Sequence, residues 1–277
     1  PYYLNATDQA TVKAGPPAVG TYVYNVAAWY GTCAGGNADV TVIVRPIPTA
    51  TISGTTTVCQ NGTAPNITFT NPQSFPVTIT YNINGGSNRT VDVNANGTAT
   101  VAAPTGAAGV FVYNLVSVAY QNYAPCTNPI SGTATVTVLP APTVTISGNA
   151  SVCLNAAAPL ITFSNPMTVQ VTATFNINGG SNTTININAN STATVSAPTN
   201  VTGTFTYNLV SVTSQTVPAC TRSLNASATV TVNPIPTCTI SGPVSVFAGS
   251  PGNTYTTTIL PAGGTTTYAW AICANGI

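Results

Sequence analysis

The sequence predicts an all-β protein made of tandem antiparallel sandwiches strung into an extended rod. Three observations carry that expectation. Residues 49–142 recur, with few gaps, as residues 143–236, a period of 94. Within each copy, short runs of Thr, Val, Ile and Phe alternate at period 2, and no stretch shows a helical period. The same Pro-x-Pro punctuation stands at Pro46/Pro48, Pro140/Pro142 and Pro234/Pro236. A fixed period of this kind marks one domain copied in tandem.

The elements of the first copy follow in order. Thr49–Ser53 (TATIS), Asn66–Thr70 (NITFT) and Val77–Ile83 (VTITYNI) each alternate apolar and polar residues. Thr90–Val93, Thr98–Ala102, Gly109–Val118 (GVFVYNLVSV) and Thr133–Leu139 (TATVTVL) complete seven runs. β-Branched residues suit a pleated, half-buried surface, and alternation turns one face inward. Seven short strands in about a hundred residues read as an antiparallel sandwich of immunoglobulin type.

Asn84-Gly85-Gly86 lies between two of these runs and recurs as Asn178-Gly179-Gly180. Asn-Gly supplies the positive φ that a type I′ hairpin turn requires. A phosphate-binding loop would need a following helix and Lys, and neither is present. Tyr113-Asn114 recurs as Tyr207-Asn208, with Tyr24-Asn25 similarly placed upstream. The tyrosine reads as a core or corner residue whose hydroxyl reaches backbone; a sugar-stacking platform is the functional alternative. The linkers VIVRPIPT, VTVLPAPT and VTVNPIPT fix φ twice in three residues and end the ladder. Such joints are expected to be semi-rigid.

The end pieces differ. Residues 1–48 carry the closing strands of a domain, with GTYVYNV and ADVTVIV as the recognisable runs. Residues 237–277 begin like the other units and then diverge. There the alternation of Tyr268, Trp270 and Ile272 predicts a core Trp270. The expected organisation is therefore 1–48 (end of a domain), 49–142 and 143–236 (two full repeats) and 237–277 (start of a domain), a window on a longer polypeptide.

Charge content narrows the function classes. Only 3% of the 277 residues are charged, against 44% hydrophobic, and the net charge is +1. An ordinary domain is about a quarter charged. No basic patch exists to capture nucleic acid or an anionic membrane, and no apolar run reaches the 18 residues or so of a membrane span. There is no His and no Glu. A Ser-His-Asp or Cys-His centre is therefore impossible in this sequence. Asp8, Asp39 and Asp92 are far apart, and Asn186 replaces Asp92 in the second copy. Paired carboxylates for glycoside hydrolysis and a carboxylate-rich calcium site are both disfavoured. We expect no catalytic residue, no cofactor and no metal. The sequons at Asn61, Asn66, Asn88, Asn96, Asn149, Asn182, Asn190, Asn200 and Asn225 are what chance supplies in a chain so rich in Asn and Thr.

Seven cysteines, with no Cys-x-x-Cys pair and no His, favour disulfides over zinc and hence an oxidising compartment. Cys59 recurs as Cys153 and Cys126 as Cys220. Two pairings respect the period: within a repeat (Cys59 with Cys126, Cys153 with Cys220), or across a linker (Cys33 with Cys59, Cys126 with Cys153). Phe247 occupies the next position of the series, so across-linker pairing strands Cys220, and the within-repeat pairing is the preferred expectation. Cys238 and Cys273 are candidates to pair with each other. A bond closing 68 residues would stabilise by about 4 kcal/mol in the chain-entropy picture.

The segment PTATISGTTTVCQNGTAPNITFT, with YNINGGSN, FVYNLVSV and SGTATVTVLPAPT, resembles the immunoglobulin-like repeats of giant Bacteroidota surface proteins. Its second copy is similar throughout. SGPVSVFAGSPGNTYT through YAWAICANGI resembles the opening of a PKD-like domain from the same proteins. The resemblance implies a multi-domain adhesin or gliding-associated protein, exported by type IX secretion and displayed outside the cell. The expected function is a structural and adhesive stalk, whose partners are further repeats of the same polypeptide, neighbouring copies, surface glycans or secretion-system components. The alternatives are a non-catalytic spacer or glycan-binding region of a modular hydrolase, or a filament subunit.

Overall fold

The computed structural model describes residues 18–122, 126–260 and 269. Asp8, Lys13, Tyr268, Trp270, Ile272 and Cys273 lie outside them. The chain forms two units, Pro1–Val138 and Leu139–Ile277. No helix occurs among the described residues.

The first unit opens with a hairpin, β1 (Gly20–Tyr30) and β2 (Cys33–Val44), followed by β3 (Thr51–Ser53), β4 (Thr56–Cys59), β5 (Asn66–Thr70), β6 (Val77–Ile83), β7 (Arg89–Val93), β8 (Thr98–Ala102), β9 (Gly109–Tyr120), β10 (Thr127–Pro129) and β11 (Thr133–Leu139). The second unit holds β12 (Thr145–Ser147), β13 (Ala150–Cys153), β14 (Leu160–Asn165), β15 (Val171–Ile177), β16 (Thr183–Ile187), β17 (Ser191–Ser196), β18 (Gly203–Ser214) and β19 (Thr221–Asn233). It closes with the hairpin β20 (Thr237–Ser241) and β21 (Thr256–Leu260).

Each repeat is an immunoglobulin-like sandwich. In the first, a three-stranded sheet β3-β5-β8 faces a sheet of order β4-β11-β9-β6-β7, with β10 added against β9. In the second, β12-β14-β17 faces β13-β19-β18-β15-β16. The seven expected runs are all present. The additional strands β4 and β13 are a correction, since the sandwich is not wholly antiparallel: β13 pairs with β19 in parallel. The opening strand of each repeat serves both sheets, crossing between them at Gly54 and Gly148. Both glycines have φ of 115°, and a Cβ at Gly54 would lie 2.6 Å from the Asn66 carbonyl oxygen. Only glycine enters that corner without strain. Thr55 Oγ1 then accepts from Thr135 N at 3.1 Å, and Asn149 Oδ1 accepts from Thr229 N at 2.7 Å.

The cores follow from the alternation. In β6, Val77, Ile79 and Tyr81 are buried while Thr78 and Thr80 face out. Phe69, Tyr81 and Tyr113 form a line of rings, with centroids 4.8 and 6.2 Å apart. Phe163, Phe175 and Tyr207 repeat it at 4.9 and 6.3 Å. Tyr113 and Tyr207 are both wholly buried, as a core tyrosine requires. Their hydroxyls, however, have no hydrogen-bond partner among the described residues. The expectation that the hydroxyl reaches backbone is therefore corrected: ring packing holds the side chain.

Candidate functional site

The turn between β6 and β7 has the geometry that Asn-Gly requires. Asn84 and Gly85 have φ of 52° and 72°, and Asn178 and Gly179 have 53° and 74°. The asparagine side chain does more than tolerate the turn. Asn84 Nδ2 donates to Val110 O at 3.0 Å, and its Oδ1 accepts from Val112 N at 2.7 Å. It thus pairs with β9 as an extra ladder residue would. Asn178 does the same with Thr204 and Thr206.

Two other asparagines were not singled out from sequence. Asn71 and Asn165 are buried. Asn71 Nδ2 donates to the carbonyls of Phe75 (2.9 Å), Val93 (3.3 Å) and Asn94 (2.9 Å), and its Oδ1 accepts from Gln73 N at 2.9 Å. Asn165 makes the same four bonds in its own repeat. The available signal was their identical place in the period, directly after an apolar strand.

The outer face of the five-stranded sheet is the candidate interaction surface. In the second repeat its rows run Thr184–Thr174–Ser211–Ser223 and Asn186–Thr172–Thr213–Thr221, then Asn176–Asn208–Ser227, Thr206–Thr229 and Thr204–Thr231. Strand spacing places neighbours in a row about 4.8 Å apart. Part of this surface is tied internally: Thr172 Oγ1 donates to Asn186 Oδ1 at 2.7 Å, and the Thr213 and Thr221 hydroxyls meet at 2.9 Å. Within the described residues, Thr174, Thr184, Ser211 and Ser223 form no side-chain hydrogen bond, so their row faces solvent with full donor and acceptor capacity. The first repeat carries Val110, Val112 and Ala119 where the second has Thr204, Thr206 and Thr213. The two faces therefore differ in chemistry on one fold. Asp92 accepts from Thr78 Oγ1 at 2.6 Å, the contact that Asn186 makes without charge. Among the described residues, no group of three or more His, Cys, Asp or Glu could hold a metal.

The linker entering the first repeat is held by side chains. Tyr120 donates its hydroxyl to Pro46 O at 3.0 Å, and Asn128 Nδ2 donates to Pro48 O at 3.0 Å. The Arg45 guanidinium lies 4.2 Å from the centre of the Phe75 ring, which meets Tyr120 edge-on at 5.8 Å. Burial raises the Tyr120 phenol above its ordinary value, with Cys126 adding to the shift and Arg45 opposing it. Tyr120 therefore stays a donor. The second repeat has Ser214 and Arg222 in place of Tyr120 and Asn128.

The cysteines depart from expectation. Cys59 and Cys220 are disulfide-bonded, while Cys126 and Cys153 carry free thiols. The within-repeat pairing and the Cys126–Cys153 alternative are both corrected. Within a repeat the reason is geometric. Cys153 pairs with Asn233, next to the Val232–Gly203 register, whereas the Cys220 carbonyl accepts from Ser214 N at 2.9 Å. Gly203 and Ser214 are the two ends of β18, roughly 35 Å apart at strand rise. A disulfide needs Cα atoms within about 7 Å. Cys126, whose carbonyl accepts from Tyr120 N, sits at the corresponding end of the first repeat. Cys33 and Cys238 are free and exposed; Cys273, the expected partner of Cys238, lies outside the described residues.

No protein-family model and no curated protein matches this chain. Among solved structures, it is similar to a Ca2+-stabilised adhesin that helps an Antarctic bacterium reach out and bind ice. That overlap has 20% identity and a TM-score of 0.40, covering 81% of this chain and 60% of that one. It is also similar to the D0–D1 domain of intimin, at 17% identity and a TM-score of 0.23 over 65% of this chain and 94% of that one. Clostridium thermocellum CbhA fibronectin(III)-like modules overlap at 18% identity and a TM-score of 0.26, over 67% and 95% of the two chains. The immunoglobulin-like assignment rests on the strand order itself.

Proposed function

We propose that this chain is a non-catalytic stalk segment of a large secreted or cell-surface repeat protein, spacing or presenting a distal adhesive region. The observation that supports the reading is the grip on the linker: Tyr120 and Asn128 bind the Pro46 and Pro48 carbonyls. The Pro-x-Pro joint entering the first repeat, seated this way, resists bending, as a spacer under tension must. The near absence of ionisable groups suits a spacer whose solubility depends little on salt or pH. The finer form of the proposal is an outer-surface adhesin or gliding-associated protein of Bacteroidota, exported by type IX secretion and carrying PKD-like units beside these repeats.

Small-angle scattering tests the stalk reading. The chain is compared with a version carrying one further copy of residues 143–236. The longest dimension is expected to grow by roughly 40 Å per repeat, the length of a twelve-residue strand. An unchanged dimension would overturn it.

A second reading, direct glycan contact, is favoured by the uncharged hydroxyl row Thr184–Thr174–Ser211–Ser223. A glycan array probed with the intact chain tests it, and binding lost in Thr174→Val with Ser211→Ala is the expected outcome.

A further inference from the structure

We propose that β16 is a self-pairing edge, and that two copies of this chain join through it as antiparallel neighbours in one continuous sheet. β16 ends the order β13-β19-β18-β15-β16, and its register with β15 is unbroken from Thr183 to Ile187. Its other side offers backbone donors and acceptors to an incoming strand. Natural edges are guarded against this by charge, proline or a bulge. β7, the same edge of the first repeat, is guarded by charge. Arg89 and Asp92 both lie on it, two of only seven charged residues (four basic, three acidic) in the chain. β16 carries Thr183 and Asn186 at those places, with no proline and no bulge against β15. The two repeats share one edge geometry and differ in the feature that decides whether it can meet its own copy.

The occupant is a second copy because the strand is complementary to itself. Paired antiparallel about a two-fold axis at Ile185, Thr183 stands opposite Ile187 of the second copy, and Thr184 opposite its Asn186. Ile185, half-buried at the edge, meets its own counterpart and gains apolar cover. On the outer face, Asn186 Oδ1 already accepts from Thr172 at 2.7 Å, which leaves its amide to donate. Thr184 forms no side-chain hydrogen bond among the described residues. Directly opposed side chains have Cβ atoms about 5 Å apart, so each Asn186 amide donates to a Thr184 hydroxyl across the axis. The same pairing of β7 would set two Asp92 carboxylates about 7 Å apart, acceptors only, on a surface losing its water. The joined sheet also prolongs the exposed hydroxyl row. Ser223–Ser211–Thr174–Thr184 runs on through Asn186, Thr172, Thr213 and Thr221 of the second copy. The contact is isologous and closes at a dimer.

Sedimentation velocity of the intact chain over a concentration series tests this, with hydrogen exchange at low and high concentration to locate the contact. A reversible monomer–dimer equilibrium is expected. Amides of β16 should gain protection in the dimer, and those of β7 and of β17, the uncharged edge of the facing sheet, should not. A non-reducing denaturing gel of the same sample should show the single chain, because strand pairing makes no covalent bond. Asn186→Asp gives β16 the residue that β7 carries, and Thr172 can donate to it as Thr78 does to Asp92. That variant is expected to fold and to weaken the dimer by about tenfold or more. Arg89→Thr combined with Asp92→Asn removes the guard from β7 and is expected to add species larger than dimer. Circular dichroism checks that both variants are folded. A chain that stays monomeric at every concentration would overturn the proposal. So would a covalent dimer, protection gained in β17 instead of β16, or a dimer unchanged in Asn186→Asp. The stalk reading is decided separately, by the length added per repeat.

Discussion

Asn114 donates its side-chain amide to Asn82 Oδ1 at 3.0 Å, and Asn208 donates to Asn176 at the same distance one period later. This bond joins two motifs that look separate in the sequence, the Tyr-Asn pair of β9 and the Asn-Gly-Gly hairpin. Asn82 Oδ1 also accepts from Gly85 N at 3.0 Å. The tyrosine of the pair fills the core while its neighbouring asparagine braces the turn. Asn84 is the centre of that brace, with two bonds to β9 and φ of 52°. Asn84→Ala is expected to destabilise the first repeat by about 2 kcal/mol, from the lost bonds and the strained φ. Urea unfolding measures it, and Asn178→Ala should match within error.

Asn71 closes the turn between β5 and β6 with four hydrogen bonds in a buried site. Asn71→Ala removes the two N–H donors that three carbonyls share and the acceptor of the Gln73 amide. The expected loss is about 3 kcal/mol, since buried unpaired groups carry the full desolvation penalty. Asn71→Asp tests the chemistry separately: it keeps the acceptor, removes the donors and is expected to be at least as damaging. Chemical denaturation of both variants decides the point, and a change below about 0.5 kcal/mol would contradict the role.

The buried hydroxyls of Tyr113 and Tyr207 behave in the opposite sense. Removing an unsatisfied buried polar atom relieves a penalty. Tyr113→Phe is therefore expected to be neutral or stabilising by about 1 kcal/mol, where most core substitutions destabilise. Thermal melting reads the sign directly.

The same tyrosines set the pH dependence. Burial raises both phenols above the ordinary value of 10.0; for Tyr113, Tyr81 adds to the rise and Arg89 opposes it. The folded state keeps protons that the unfolded chain releases near pH 10. This contribution is whole below about pH 10 and is lost as pH rises through the higher folded value. With three Asp, no Glu and no His, few groups titrate in the acid-to-neutral range of about pH 5 to 8. The melting temperature is expected to be nearly flat from about pH 5 to 9 and to fall above about 10. Tyr113→Phe should blunt the alkaline fall.

Gly54 tests the strand that changes sheets. A Cβ there would approach the Asn66 carbonyl at 2.6 Å, in a region of φ that side chains rarely adopt. Gly54→Ala is expected to cost more than about 2 kcal/mol. Hydrogen exchange should show lost protection in β3 and β4 first, with β13 to β19 unchanged.

Local chemistry determined most of the elements. Alternation in NITFT, VTITYNI and TATVTVL located their strands because period 2 is a property of consecutive residues. The Asn-Gly turn was legible because its φ requirement is met by two adjacent residues. What the tertiary structure decided was non-local. The parallel strand β13 and its counterpart β4 depend on a glycine corner that lets one short run serve two sheets. Asn71 gains its role only when Val93 and Asn94 are brought beside it. The cysteine pattern shows the difference most plainly. A period of 94 placed Cys59 with Cys153 and Cys126 with Cys220 in register, but register says nothing about distance. Only the antiparallel run of β9 and β18 sets each repeat's cysteines at opposite ends of a sheet, beyond the reach of a sulfur–sulfur bond.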